Sequence, residues 1–260
     1  MAASPFMHML RFRVRQPQFY WFLGHFMTIW HFIRFHLSFF SSSSQRYHYS
    51  RVLFYVTITY GIVLYQFYKS GQLKRQTFLV QLRQLDNLQY FCMVATLYIC
   101  SWAGSMVNGA LYSPVIFALF HCCNYFKENL LPFLPIQPIL KNTLNQRITF
   151  FIQRYNEKFL QMAQVFEIMC GVRSGLLGLP VEIVLLLTSL NVKRIASVIA
   201  LLTYVVFFKL RYLHSETLRL LTREYVYKID TYVHSSLPNF VPKWQGYKQF
   251  VSKLFWRLPC

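Results

Sequence analysis

Residues 176–208 read LLGLPVEIVLLLTSLNVKRIASVIALLTYVVFF, which is two apolar runs on either side of a basic connection. The runs are Leu176–Leu190 and Ile195–Phe208, and the connection contains Lys193 and Arg194. A helix needs about 20 mostly apolar residues to cross the hydrocarbon core of a bilayer, so both runs are short for a full crossing. The stretch therefore predicts a shallow helical hairpin in a membrane.

The composition of the whole chain agrees with a membrane protein. Of the 260 residues, 55% are hydrophobic and only 13% are charged, which is too apolar for an ordinary soluble chain of this length. The formal net charge is +19, and the basic residues flank apolar runs as the positive-inside rule describes. No nucleic-acid-binding motif accompanies this charge, so we do not expect a nucleic acid as a partner.

The first apolar block is Phe19–Phe40, and it follows Arg11, Arg13 and Arg15. No small-residue cleavage site comes after it, so we interpret it as an uncleaved signal anchor with the N-terminus in the cytosol. Arg34 and three histidines make the block polar for a membrane segment, which favours an oblique or near-surface path.

Three further apolar segments precede the middle of the chain. Val52–Tyr68 follows the connection SSSSQRYHYS, and the basic residues between 69 and 83 place the next connection in the cytosol. Leu88–Met106 and Ser113–Phe126 then flank the uncharged VNGALY, which suits the lumenal side. We interpret this pair as a first hairpin that penetrates as a wedge.

A proline-rich break separates the first hairpin from an amphipathic segment. Pro132, Pro135 and Pro138 end any helix, because proline lacks an amide donor and restricts the residue before it. From Leu140 to Phe166, apolar residues recur at steps of three or four with polar residues opposite. This pattern predicts an amphipathic helix that does not cross the membrane.

The C-terminal tail, residues 209–260, is basic and is predicted to form two amphipathic helices joined at SSLPNFVP. In the second, the apolar residues share one arc of about 140° on a helical wheel, opposite basic residues. Such a helix either lies in the headgroup layer, where anionic lipid attracts Lys and Arg, or packs its stripe on the rest of the protein. The predicted membrane-binding residues are Trp244, Tyr247, Phe250, Val251, Leu254, Phe255, Leu258, Lys248, Lys253 and Arg257, with Leu218, Leu221, Tyr225 and Ile229 in the first helix.

These patterns predict an all-α integral membrane protein with short transmembrane or re-entrant hairpins and interfacial amphipathic helices. We divide it into an N-terminal membrane region (1–126), the proline-rich break with its amphipathic helix (127–173), the second hairpin (174–208) and the basic cytosolic tail (209–260).

No catalytic, cofactor-binding or metal-binding motif is present, which predicts a protein that is not an enzyme and needs no cofactor. His25, His31 and His36 are not spaced three or four residues apart, so they cannot share a metal ion. GVRSG, at residues 171–175, has the wrong spacing for a nucleophile and is interpreted as a turn.

The competing class is a small polytopic transporter or channel, or a lipid-modifying membrane enzyme. Its working residues would be Glu167, Glu182, Arg34 and the histidines, because ionisable groups in apolar surroundings are functional candidates. The plainer interpretation places Glu182 in the first turn of a helix that begins near Pro180, and makes Asp86 a helix cap.

The six cysteines have no spacing typical of a disulfide framework or a zinc site, so we expect reduced packing residues. Cys122 and Cys123 lie at a predicted membrane boundary, where palmitoylation is an alternative.

Several stretches resemble the transmembrane protein 33 family, particularly its fungal pore-membrane and endoplasmic reticulum members. The likeness covers nearly the whole chain and consists of packing and interface patterns. The stretches are PQFYWFLGHF (Pro17–Phe26), LDNLQYF (Leu85–Phe91), SPVIFALFHCCNYFKENLLPFLP (Ser113–Pro135), KFLQMAQVFEIM (Lys158–Met169) and FFKLRYLHS (Phe207–Ser215).

The resemblance implies a multi-pass protein of the endoplasmic reticulum and nuclear envelope that helps to shape tubules and to distribute nuclear pore complexes. It implies reticulon-like proteins and nucleoporins as partners. It also implies that the basic C-terminal region binds curved, anionic membrane and an import receptor.

Overall fold

The computed structural model describes residues 11–73 and 78–258, and within them the chain is helical and contains no strand. The predicted all-α class is therefore confirmed. Cys260 and the basic residues Lys74 and Arg75 lie outside the described residues. The helices are α1 (Pro17–Leu37), α2 (Ser42–Lys69), α3 (Phe78–Gln84), α4 (Asp86–Trp102), α5 (Tyr112–Tyr125), α6 (Pro138–Val172), α7 (Leu179–Thr188), α8 (Val192–His214), α9 (Glu216–Ser236) and α10 (Val241–Arg257).

Helix α2 begins ten residues before the predicted apolar block, so treating SSSSQRYHYS as a connection was wrong. The hydroxyl of Ser41 accepts a hydrogen bond from the backbone N–H of Ser44 at 3.4 Å and caps the new helix. The added turns contribute to the core. The Tyr49 side chain is buried, and its hydroxyl accepts a hydrogen bond from the backbone N–H of Val107 at 2.9 Å.

The core lies where α2 packs on α1 and α4, and where α4 in turn packs on α8. Helices α2, α4 and α8 contribute apolar residues at three- and four-residue spacing, whereas the buried face of α1 contributes Phe35 beside polar residues. Its buried residues include Tyr49, Val52, Leu53 and Val56 from α2, Met93, Val94 and Leu97 from α4, and Tyr204 and Phe207 from α8.

The two arms of the first predicted hairpin are helices, but they do not form an isolated pair. Helix α4 packs mainly on α2 and α8, whereas α5 packs mainly on α1 and α6. Val107, Ala110 and Leu111 in the connection between the arms are buried in the same core. The arms are therefore parts of one helical bundle.

The predicted turn at GVRSG is wrong, because the helix continues through it. A π-helical segment, Arg173–Gly178, joins α6 to α7 and makes one helix from Pro138 to Thr188. The glycine at 171 serves close packing: a Cβ there would lie 2.7 Å from Cγ of Phe208. The first arm of the second hairpin is thus the continuation of the amphipathic helix.

Two helices in the described part of the chain are long and apolar enough to cross a membrane. They are the continuous helix Pro138–Thr188 and α8, Val192–His214. Helix α7 has no buried residue, and Leu187 and Leu190 at its end are exposed. Apolar surface of this extent suits lipid, since the backbone polar groups are satisfied within the helices.

Helices α1 and α2 approach closely at Gly24, and this contact gives a first prediction. A Cβ at position 24 would lie 2.6 Å from Cγ2 of Thr59, which is itself buried. Gly24→Ala is therefore expected to lower the free energy of unfolding by about 1–3 kcal/mol, as overpacking does. Thermal unfolding in detergent micelles measures this change.

Gly246→Ala is the matched control. Gly246 lies inside α10 and a Cβ there would meet no atom within 4 Å, so alanine gains helix propensity without a clash. This variant is expected to be as stable as the parent chain or more stable, by up to about 1 kcal/mol. Equal destabilisation by both alanines would contradict the assigned α1–α2 contact.

Candidate membrane-binding surface and a buried polar network

Helices α9 and α10 form the two predicted amphipathic helices of the tail, and the break between them falls at residues 237–240. The hydroxyl of Ser215 accepts the backbone N–H of Leu218 at 3.3 Å and caps α9. In α9, Leu218 is fully buried and Leu221 packs beside it, whereas Tyr225 and Ile229 are exposed. The predicted stripe is therefore divided between the protein interior and the surface.

A carboxylate on α9 ties the start of α10 to it. The indole Nε1 of Trp244 donates to Oδ1 of Asp230 at 2.6 Å, and Nζ of Lys248 lies 2.8 Å from both carboxylate oxygens. The hydrogen bond from Lys248, followed by that from Trp244, lowers the pKa of Asp230 below its usual value. Trp244 and Lys248 thus connect the two helices, and their predicted role in binding lipid stays a prediction.

The apolar arc of α10 is divided lengthwise into a docked edge and a free edge. Along the docked edge Val251, Phe255 and Leu258 face α8 and the π-helical segment, and the ring of Phe255 meets the ring of Tyr212 edge-on at 5.6 Å. Along the free edge, exposure reaches 64% for Phe250, 48% for Leu254 and 43% for Tyr247, and Leu254 also borders the groove that the docked edge occupies.

Lysine 209 fixes the docked edge to the bundle. Its side chain, on α8, is only 3% exposed, and Nζ donates to the carbonyl oxygens of Leu258 at 2.6 Å and of Trp256 at 3.3 Å. A cation at the C-terminus of a helix satisfies free carbonyls and opposes the negative end of the helix dipole. The last turn of the tail is therefore held against the end of α8.

The two remaining predicted basic residues, Lys253 and Arg257, are exposed and form no ion pair with any described residue. They border the free edge of α10 and leave their charge available to an anionic surface. The candidate membrane-binding surface is accordingly the free edge together with these two cations: Tyr247, Phe250, Leu254, Lys253 and Arg257.

A second polar site lies inside the bundle, at Glu167. This carboxylate on α6 is 1% exposed, and its Oε1 accepts hydrogen bonds from the hydroxyls of Tyr90 and of Ser113, the latter at 2.7 Å. Nε of Arg211 lies 3.5 Å from Oε2, and Nη1 of the same guanidinium lies 2.6 Å from Oδ2 of Asp86. One guanidinium on α8 therefore serves two carboxylates, on α6 and α4.

The comparisons with known proteins decide the family. The sequence profile of the family described as Transmembrane protein 33/Nucleoporin POM33 matches residues 4–255. The chain is also 52% identical, over 263 aligned residues, to the Pore and endoplasmic reticulum protein of 33 kDa of Saccharomyces cerevisiae, covering 98% of this chain and 96% of that protein. The chain belongs to the Transmembrane protein 33/Nucleoporin POM33 family. No solved structure matches it.

Membership of the Transmembrane protein 33/Nucleoporin POM33 family confirms the resemblance drawn from the sequence. The name of the yeast relative joins the pore to the endoplasmic reticulum, and two helices here are apolar enough for a membrane. The predicted localisation, in the endoplasmic reticulum membrane and the nuclear envelope, is confirmed.

The carboxylates and the histidines named for the transporter or enzyme alternative lie at separate places in the described part of this family member. Glu182 forms an ion pair with Arg194 at 3.0 Å where α7 meets α8. His31 and His48 are a separate pair, with their Nδ1 atoms 2.9 Å apart. No group of three or more metal-ligating side chains occurs in the part of the chain that the structure describes.

The cysteines of this family member are scattered through the bundle. Cys92, Cys100, Cys122, Cys123 and Cys170, the five in the described residues, are free thiols. Cys122 and Cys123 are half-buried on α5, and Sγ of Cys122 lies 4.0 Å from the carbonyl oxygen of Phe22. Palmitoylation at these positions stays a prediction.

Proposed function

We propose that this protein helps to shape or stabilise curved membrane of endoplasmic reticulum tubules and the nuclear envelope, and thereby the distribution or assembly of nuclear pore complexes. Its action is structural and involves no catalysed reaction. The partners that we propose are anionic, curved lipid, reticulon-like proteins, nucleoporins, and an import receptor that binds the basic tail.

The free edge of α10 is the observation that carries this proposal. Three large apolar side chains project next to two unpaired cations, at the end of a helix that is apolar enough to span the membrane. Insertion of such an edge into one leaflet enlarges that leaflet relative to the other, and this asymmetry favours curvature. The name of the yeast relative, which joins the pore to the endoplasmic reticulum, gives independent support.

Phe250→Glu combined with Leu254→Glu tests the proposal. Two carboxylates on the free edge repel anionic lipid and cannot enter the acyl region, so the tail is expected to lose membrane contact. In cells, a fluorescent fusion of this variant should stay in the endoplasmic reticulum but lose its enrichment at tubules and pores. Live imaging beside tubule and pore markers measures both.

The matched control is Gln249→Glu with Ser252→Glu, which adds the same charge on the polar side of α10. It should keep the parental distribution. If both double variants lose the enrichment, charge and not the apolar edge determines the location. If both keep it, the free edge is not needed for the location, and either result excludes the wedge mechanism.

A further inference from the structure

A cavity of about 370 Å³ lies between α1, α2, α4, α5 and α8, and the membrane-shaping proposal does not use it. Its lining includes Trp21, His25, Tyr60, Asp86, Tyr90 and Arg211. Asp86 is half-exposed and marks the mouth, whereas Tyr90 and Arg211 are buried and form the floor. The volume lies within the range of ordinary small-molecule sites.

The unpaired side chain of His25 indicates a ligand in this cavity. Its side chain is 7% exposed, and neither ring nitrogen has a hydrogen-bond partner among the described residues. Trp21 and His121 flank the imidazole with ring centroids 4.5 Å and 5.0 Å away, but neither supplies a hydrogen bond to it. Because an unpaired buried polar group is costly, a molecule that both donates and accepts hydrogen bonds would stabilise His25.

The charges around the cavity favour a cation. Asp86 and Glu167 share the single guanidinium of Arg211, so the formal charges of the three groups sum to −1. Nε2 of His214 lies 3.7 Å from Oδ1 of Asp86 on the exposed side. An isolated anion would meet a guanidinium that is already neutralised, whereas a cation would balance the excess carboxylate.

The walls of the cavity favour an organic ammonium group over a hydrated metal ion. Tyr60 and Tyr90 lie parallel, with ring centroids 5.4 Å apart, and Trp21 and Phe117 add two more aromatic side chains to the lining. Aromatic faces attract alkylammonium cations, which are weakly hydrated and carry apolar surface. The floor of the cavity already places one cation against an aromatic ring, since Cζ of Arg211 lies 5.4 Å from the centre of the Tyr90 ring.

We propose that this cavity binds the ammonium head group of a phospholipid, of the choline or ethanolamine class. The ammonium lies between Asp86 and the aromatic walls. A phosphate oxygen of either head group accepts a hydrogen bond from the ring N–H of His25, and only the ethanolamine head group has an N–H that also donates to the other ring nitrogen. A lipid is the source because α8, which lines the cavity, is apolar enough to span a membrane, and Val63 and Phe117 extend the lining with apolar surface.

Thermal unfolding of the full chain in detergent tests the site. Phosphatidylcholine and phosphatidylethanolamine with short acyl chains are compared with phosphatidylglycerol that has the same chains but no ammonium group. The ammonium lipids are expected to raise the melting temperature saturably, at a concentration at least about tenfold lower than phosphatidylglycerol. An equal response to all three lipids overturns the proposal.

His25→Phe separates binding from folding. It removes the unpaired polar group, so the lipid-free melting temperature should be retained or raised, while the lipid concentration needed for stabilisation should rise about tenfold. Trp21→Leu removes an aromatic wall of the cavity but keeps the imidazole of His25, and it should weaken binding similarly. His234→Phe on exposed α9 is the control and should change neither value.

Two results would overturn the assignment. If both His25→Phe and Trp21→Leu leave the response to ammonium lipids unchanged, the cavity is not their site. If glycerophosphocholine, which has no acyl chains, is as effective as phosphatidylcholine, the ligand is a soluble amine and not a lipid.

Discussion

Arg211→Met is expected to lower the free energy of unfolding by about 3–5 kcal/mol, because it leaves the buried carboxylate of Glu167 without its cation. The hydroxyls of Tyr90 and Ser113 would still donate to Oε1, but Oε2 would lose the guanidinium that now lies 3.5 Å away. Asp86 would lose its partner as well, at smaller cost, since it is half-exposed and water can solvate it.

Unfolding in mixed detergent micelles, followed by circular dichroism, measures this loss. Arg223→Met on exposed α9 is the matched control and should change stability by less than about 0.5 kcal/mol. Adding Glu167→Gln to Arg211→Met removes the stranded charge, so the double variant should be more stable than Arg211→Met alone. A loss no larger than that of the control would mean that the buried pair contributes nothing to stability.

Lys209→Met is expected to detach α10 from the bundle. The ammonium group is buried and donates to two carbonyls of the last turn, and hydrogen bonds from a charged donor are worth about 1.5–3 kcal/mol. The equilibrium between docked and free α10 should therefore shift by about 10–150-fold. Hydrogen exchange in α10 should accelerate by this factor, while exchange in the core of α2 and α4 stays unchanged.

Lys228→Met is the matched control for Lys209→Met. Its Nζ lies 2.6 Å from Glu224 one turn earlier on the same exposed helix face, where solvent screens the ion pair and leaves it little effect on stability. Exchange in α10 should be unaffected. If Lys209→Met leaves α10 as protected as the parent chain does, the docked edge is held by Val251, Phe255 and Leu258 and not by the lysine.

Periodicity predicted the helices well because it depends only on neighbours along the chain. The block at Phe19, the proline break and the two tail helices all follow from local spacing. The structure places helices at the block and in the tail, and a break before Pro138. Glycine is less informative, since the same residue marks a turn or a close helix contact. At Gly171 the neighbour that decides is Phe208, which is 37 positions away and invisible to a local pattern.

The sequence also could not predict how the apolar arc of α10 divides into a docked edge and a free edge. A helical wheel gives the angle of each side chain, and it correctly placed Phe250 and Phe255 on one apolar arc. It cannot say which side of that arc meets another helix, because this depends on where α8 ends. The sequence did not predict the buried network for the same reason. Asp86, Glu167 and Arg211 are far apart in the chain, and each has an ordinary local explanation.

The contact at Lys209 also sets how far the tail can travel. The last turn of α10 is hydrogen-bonded to a helix that is apolar enough to span the bilayer, so the free edge stays beside the leaflet from which α8 emerges. Because the tail is tethered to a helix of the same chain, the free edge meets that leaflet at a high effective concentration. A weak affinity per copy is then sufficient, and the same short tether prevents the tail from reaching a neighbouring membrane.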